Sequence, residues 1–259
     1  MTALRPPKSL LRPAGRAIAD YRMIQAGDRI LLGLSGGKDS LSLLHILLHL
    51  QRHAPVQFEL GAVTVDPEVE GFEPARLKPW LAELGVPYHF CSEPIMERAL
   101  NHMSGDSYCS WCARMKRGTM YTMARQAGYN VLALGQHLDD LAESFLMSAF
   151  HGGRLQTMKA HYRNDDGDLR IIRPLVYARE RQLADFAASA GLPVIRDNCP
   201  ACFRMPTQRA HIKALLAQEE THNSQLFKAI LSAMRPLMDD ESHKNIYSFP
   251  FSGKKAAES

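Results

Sequence analysis

The chain has 259 residues, 46% of them apolar and 22% charged, enough for a globular core in one large domain or a domain with an appendage. Histidines and arginines interrupt every apolar run before the ~18 residues of a membrane span, which excludes a helical membrane protein. The formal charge of +4 is modest, but its distribution is uneven. Arg5, Lys8, Arg12, Arg16, Arg22 and Arg29 face only Asp20 and Asp28 near the N-terminus. Further basic clusters occur at Arg114, Lys116, Arg117 and Arg125, and at Arg196, Arg204, Arg209 and Lys213. Each cluster alone reads as a solvated face; three together point to a polyanionic partner. The basic N-terminus has no continuous apolar stretch, so the expectation is no signal peptide and a cytoplasmic protein.

In chain order, a basic helical segment (1–28) precedes a buried strand at 29–34, RILLGL. The turn Ser35-Gly36-Gly37-Lys38-Asp39-Ser40 then opens an apolar helix reaching about His53. Strands at 58–65 and 87–91 flank a helix, PARLKPWLAELG, ended by Gly85. A helix at 112–127, a strand at 130–135 and a helix at 138–150 follow. Gly152-Gly153 and the polar turn 164–168 mark a loop or hairpin, before the strand LRIIRPL and a helix at 179–190. Helices at about 207–219 and 222–236 form a C-terminal extension (203–238), and a polar tail (239–259) is expected to be disordered. Alternating strands and helices predict an α/β fold, a mainly parallel sheet with helices on both faces. Ligands on such sheets sit at the carboxyl ends of the strands. The turn after the first strand lies there, with Asp66 and Gly135-Gln136-His137-Leu138-Asp139-Asp140.

That turn is chemically specific. Gly36 and Gly37 permit close backbone approach, Ser35 and Ser40 add hydroxyls, and Lys38 adds a compact charge. The following helix aims its N-terminus at the same point. An ordinary capped turn needs none of this, and the spacing is not that of the common G-x-x-x-x-G-K-[ST] phosphate loop.

S-G-G-K-D-S after the first strand resembles the PP-loop of the N-type ATP pyrophosphatases. Their loop grips the pyrophosphate part of ATP, a carbonyl oxygen is adenylated, and AMP and pyrophosphate leave. C-S-W-C-A-R-M-K-R-G-T-M-Y, A-I-A-D-Y-R-M-I-Q-A-G-D-R-I, G-Q-H-L-D-D, F-H-G-G-R and I-R-P-L-V-Y-A-R-E narrow the resemblance to the tRNA 2-thiocytidine synthetases. It covers most of residues 12–202, within a PP-loop domain of 29–202. The chain departs from that pattern at Gln136 and Leu138, where the family more often has His and Arg, and beyond Cys202.

The resemblance implies ATP with Mg²⁺, a cysteine-desulfurase-type sulfur donor, tRNA as partner and a possible homodimer. It places ATP on Ser35, Gly36, Gly37, Lys38, Asp39, Ser40, Asp66, Gly135 and Asp140, with Lys38, Asp39 and Asp139 catalytic. Asp39, Asp139 and Asp140 are the carboxylates for Mg²⁺. Asp139-Asp140 alternatively caps the following helix, and Asp66 alternatively caps a helix or a turn. His137 polarises the base or is structural, and Trp111 shields a cluster or stacks on a base.

Four of five cysteines form the pairs Cys109–Cys112 and Cys199–Cys202, a pattern of metal ligands or redox thiols in an intracellular chain. Cys91 reads as a small buried hydrophobe. The pairs stand 87 positions apart, which excludes a compact zinc ribbon but not zinc assembled by the fold, nor a redox dithiol. The resemblance implies a [4Fe–4S] cluster on Cys109, Cys112 and Cys199, with Cys202 a weaker candidate and one iron open to sulfide. Arg114, Lys116 and Arg117 are expected to hold tRNA phosphates. The expected activity is thiolation of a tRNA pyrimidine at C2, cytidine to 2-thiocytidine. A thiolase for another base or a small molecule, and a non-catalytic tRNA-binding module, are the alternatives.

Overall fold

The computed structural model describes residues 4–102, 108–195 and 208–239. Helix α1 (Lys8–Asp20) leads into β1 (Asp28–Gly33) and α2 (Lys38–His53). Strand β2 (Phe58–Asp66), a 3₁₀ turn at Pro74–Arg76, α3 (Leu77–Glu83), β3 (Tyr88–Ser92) and α4 (Ile95–His102) follow. The second half holds α5 (Tyr108–Gln126), β4 (Val131–Ala133), α6 (Leu138–Gly152), β5 (His161–Arg163) and β6 (Arg170–Ile172). Then come α7 (Glu180–Ser189), α8 (Gln208–His222) and α9 (Leu226–Met238).

The strands form one sheet in the order β3-β2-β1-β4-β6-β5, parallel except where β5 pairs antiparallel with β6. β1 and β4 are adjacent, and the chain turns to opposite sides after them. This is the crevice where doubly wound sheets take ligands. Both nucleotide-type segments follow these two strands.

Alternation along β1 divides the core. Ile30 and Leu32 pack on one face with α2, while Leu31 joins Val63, Leu132 and Ile171 beneath α5 on the other. All residues from Ser40 to Leu48 are buried in α2, which explains its apolar run: the helix is enclosed between sheet, α1 and α7. At the amino ends of the strands, buried Asp28 pairs with buried Arg170 and also accepts from Asn130 and the Gln25 amide. This pairing ties β1, β4 and β6 together.

The structure moves several expected boundaries. Helix α5 begins at Tyr108 rather than 112, because C-S-W-C contains no helix breaker and runs straight into the helix. Helix α4, which had no expected counterpart, is a short amphipathic segment packed on α5. The last helix begins at Leu226, not 222, because the Asn223 side chain accepts the Gln225 amide and turns the chain first. Cys91 is half-buried on edge strand β3 rather than fully enclosed. The tail 240–259 lies outside the described residues.

Candidate active site

The loop after β1 is a network of short-range contacts. Gly36 has φ +82°, a left-handed conformation that glycine adopts without cost. The Gly37 amide donates to Ser35 Oγ at 3.2 Å, and Ser40 Oγ donates to the Gly37 carbonyl at 3.0 Å. The two serine hydroxyls are 3.2 Å apart. Gly37 is the N-cap of α2 and supplies no side-chain cap, so the first-turn amides of this helix point into the crevice. Uncapped amides and the positive end of a buried helix make an anion site. Gly135, after β4, closes against it: a Cβ there would meet Ser40 N at 3.3 Å and the Asp39 carbonyl carbon at 3.4 Å.

Lys38 Nζ reaches Asp39 Oδ2 at 3.3 Å and Glu180 Oε1 at 3.0 Å. Burial works against its charge, but the two carboxylates outweigh it and raise its pKa. It is an ammonium. Glu180 also accepts from Lys213 of α8 at 2.6 Å. Burial alone would raise its pKa, yet the hydrogen bonds from Lys213 and Lys38 bring it down to about 2. Burial raises the pKa of Asp39 against the pull of His137 and Lys38, and its Oδ1 is buried without a hydrogen-bond partner.

The other expected carboxylates are already engaged. Asp139 accepts from Arg179 Nε at 3.1 and 3.2 Å and from the Glu180 amide at 2.7 Å, joining α6 to α7. Arg179 continues to Glu220 of α8 with bonds of 2.7 and 2.9 Å, its guanidinium 3.3 Å above the Phe227 ring centroid. Asp140 accepts the His137 amide at 3.1 Å and Arg209 at 2.8 Å. Buried His137 completes a capping box on α6, its Nδ1 accepting the Asp140 amide at 3.4 Å. His137 is therefore a structural cap here, and Asp140 shares that role. Asp66 caps a turn, Oδ1 accepting the Glu68 amide at 2.8 Å.

Among the described residues no group of three His, Cys, Asp or Glu side chains is arranged to hold a metal ion. The donor chemistry nonetheless fits one hard cation at Asp39, whose orphaned carboxylate oxygen lies beside the anion site. Asp139 and Asp140 spend their oxygens on arginines and amides. A cavity of about 280 Å³ opens beside Lys38 and Asp139, lined also by Arg179, Glu180, Lys213 and Phe227. The last four are not among the expected site residues; the A-R-E of the I-R-P-L-V-Y-A-R-E string carries a signal for Arg179 and Glu180 alone.

Two features bring the cysteine segments toward this end of the sheet. The Ile195 amide donates to the Gly36 carbonyl at 2.9 Å, so the chain leading to Cys199 departs from the loop itself. Met120 of α5 packs beside Gly33, at the carboxyl end of β1. Eight residues earlier, Cys112 is about 12 Å further along the helix, by the 1.5 Å rise per residue. It is half-buried, and position 109 lies one turn away in the same helix. Arg114 is exposed, Lys116 and Arg117 are half-buried, and all three continue that helix. Cys199, Cys202, Arg196 and Arg204 lie outside the described residues.

The departures from the family pattern have places in this frame. Gln136 Oε1 accepts from buried Arg173 at 2.9 Å, and Leu138 is buried in the core.

The PP-loop domain family profile matches residues 12–220. The tRNA-cytidine(32) 2-sulfurtransferase of Geobacter sulfurreducens is 42% identical over 231 residues, 88% of this chain and 89% of that one. That of Geobacter metallireducens is 42% identical over 236 residues, 88% and 91% of the two chains. The chain belongs to this family of PP-loop proteins. The fold agrees: the structure of U34-tRNA thiolase NcsA from Methanococcus maripaludis with its [4Fe-4S] cluster superposes with a TM-score of 0.72. It is 20% identical, and the match covers 89% of this chain and 78% of that one. The fold places S-G-G-K-D-S at the switch between β1 and β4.

Proposed function

We propose that the protein is an ATP-dependent tRNA sulfurtransferase that converts cytidine 32 of tRNA to 2-thiocytidine, the reaction its relatives are named for. The observation that carries this reading is the Ile195–Gly36 bond, which fastens the cysteine-bearing chain to the anion loop. Four residues from Ile195 to Cys199 span at most about 14 Å. Activation and sulfur delivery can therefore meet on one base.

The chemistry follows from the loop. The amides of α2 and Lys38 hold the β- and γ-phosphates of ATP while the cytidine C2 oxygen attacks the α-phosphorus. The bond to the β-phosphate breaks, and pyrophosphate leaves with its charge stabilised by Lys38. Mg²⁺ on Asp39 would share that charge. The oxygen at C2 is now part of an AMP leaving group. Cys109, Cys112 and Cys199 would hold a [4Fe–4S] cluster, which would bring a sulfide to C2, where the new carbon–sulfur bond would displace AMP with the oxygen. Asp139 and Arg179 hold α7 in place and so fix Glu180 against Lys38. Arg114, Lys116 and Arg117 would grip backbone phosphates beside the flipped base, with Asp66 near the adenosine. A cysteine-desulfurase-type protein would renew the sulfur as a persulfide, which a dithiol-type reductant would bring to sulfide with two electrons.

Anaerobically purified protein incubated with ATP, sulfide and unmodified tRNA should form 2-thiocytidine and AMP, measured by nucleoside mass spectrometry and nucleotide chromatography. ADP in place of AMP would refute adenylation.

A further inference from the structure

The far end of α2 carries a second basic site. Arg5, His49, Arg52 and His53 line a cavity of about 220 Å³ together with Leu4. The imidazoles of His49 and His53 stack with centroids 4.2 Å apart and planes 20° from parallel. His53 Nδ1 donates to the His49 carbonyl at 2.8 Å, which fixes the orientation of the ring. Arg5 is delivered by a stiff arm. Pro6 is buried, Pro7 is the extended N-cap of α1, and the Pro7 carbonyl accepts the Leu10 and Leu11 amides at 3.0 Å.

Two arginines and two histidines converge here, and among the described residues no carboxylate lines the cavity. Burial lowers the pKa of His49, and the neighbouring His53, Arg5 and Arg52 lower it further. Holding such charges together is unfavourable unless an anion joins them.

We infer that Arg5, His49, Arg52 and His53 form a phosphate-binding site for the tRNA backbone, remote from the catalytic loop. This rests on the proposed tRNA substrate. Helix α2 separates this site from Lys38 by about 22 Å at 1.5 Å per residue. A stem of tRNA extends that far from its loop, and proteins that grip RNA helices contact phosphates over such lengths. The fold gives α2 two anion sites, the amide end for ATP and the carboxyl end, with its arginine and histidines, for RNA. The cations also suit the negative end of the helix dipole.

The test uses full-length protein and unmodified tRNA. In the wild type, affinity should rise as pH falls from about 8 to 6, because a bound phosphate favours protonated imidazoles. The double variant Arg52→Gln/His53→Gln should lose roughly tenfold in affinity, show a salt slope smaller by about one, and lose part of the pH dependence, the part left being that of His49. Its kcat at saturating tRNA should match wild type, as should its thermal midpoint, because both residues are exposed. Inorganic phosphate alone should move the His49 and His53 imidazole proton resonances in NMR. A double variant with wild-type affinity and salt slope would overturn the assignment. Phosphate-dependent imidazole shifts with unchanged tRNA binding would likewise overturn it, by showing a site for the free anion. Wild-type protein that binds no tRNA would fail the functional reading itself, a result distinct from any effect of the variant.

Discussion

Ile195 and Gly36 meet through backbone and side chain at once: a 2.9 Å hydrogen bond, and an isoleucine packed where a Cβ on Gly36 would stand 2.8 Å from Cδ1. Gly36→Ala therefore disturbs two things. The left-handed φ of +82° costs a residue with a side chain about 1–2 kcal/mol, and the methyl pushes Ile195 outward. The Ile195 tip can yield; the backbone strain cannot. We expect a small loss of thermal stability but a fall in ATP–pyrophosphate exchange of roughly 100-fold, as the phosphate cradle shifts. Wild-type exchange in this variant would mean that the loop does not hold the phosphates.

Lys38 and Glu180 separate phosphate contact from positioning. Lys38→Ala should cut turnover by roughly 10²–10³-fold with the fold intact, since the ammonium acts on charge that develops in the reaction. Glu180→Gln keeps the shape but removes the charge shared by Lys38 and Lys213. It should lower kcat by roughly tenfold, with Glu180→Asp recovering part of the loss and KM for ATP changing less than kcat. Equal kcat in Glu180→Gln and wild type would leave that residue as a surface ion pair only.

Iron content reads the cysteine assignment directly. Protein purified without oxygen should be brown, with about four irons and four sulfides per chain. Cys109→Ala, Cys112→Ala and Cys199→Ala should each abolish both, whereas Cys91→Ala, on the half-buried edge strand, should leave them. Colourless wild-type protein with stoichiometric zinc would sink the cluster.

The parts of this site legible in the sequence are those written in contiguous residues. Strand, S-G-G-K-D-S and apolar helix specify the anion cradle locally, because glycine conformations and helix amides act within six residues. The parts that escaped are made by residues far apart. Lys38 meets Glu180 across 142 positions, and Arg179 meets Glu220 from another helix. Charge clusters in a sequence show that arginines and lysines are present, not which carboxylate each will face. Thus Arg209 and Lys213, counted with a basic patch, bind Glu143, Asp140 and Glu180 at the site. His137 was ambiguous for a related reason: a histidine one residue before a helix caps or catalyses depending on a rotamer that the sequence does not display.

Acid sensitivity has its source in His45. This residue is 1% exposed in the middle of α2, edge-on to Trp80 and Phe186 with centroids 5.6 and 6.2 Å away. Neither ring nitrogen has a hydrogen-bond partner. Burial alone depresses its pKa to about 4 from an ordinary 6.5. Above pH 6.5 the ring is neutral folded or unfolded, and the shift costs nothing. Below that, the unfolded chain binds a proton that the folded one refuses, so stability falls as pH drops, until the folded ring also protonates near pH 4. At pH 5 the loss is about 2 kcal/mol relative to pH 7. His45→Phe keeps a ring against Trp80 and Phe186 and removes the titration. Urea unfolding at pH 7 and pH 5 should show the wild type losing about 2 kcal/mol more than the variant. Equal losses in both proteins would place the acid sensitivity elsewhere, and would mean that His45 takes its proton inside the fold as readily as outside it.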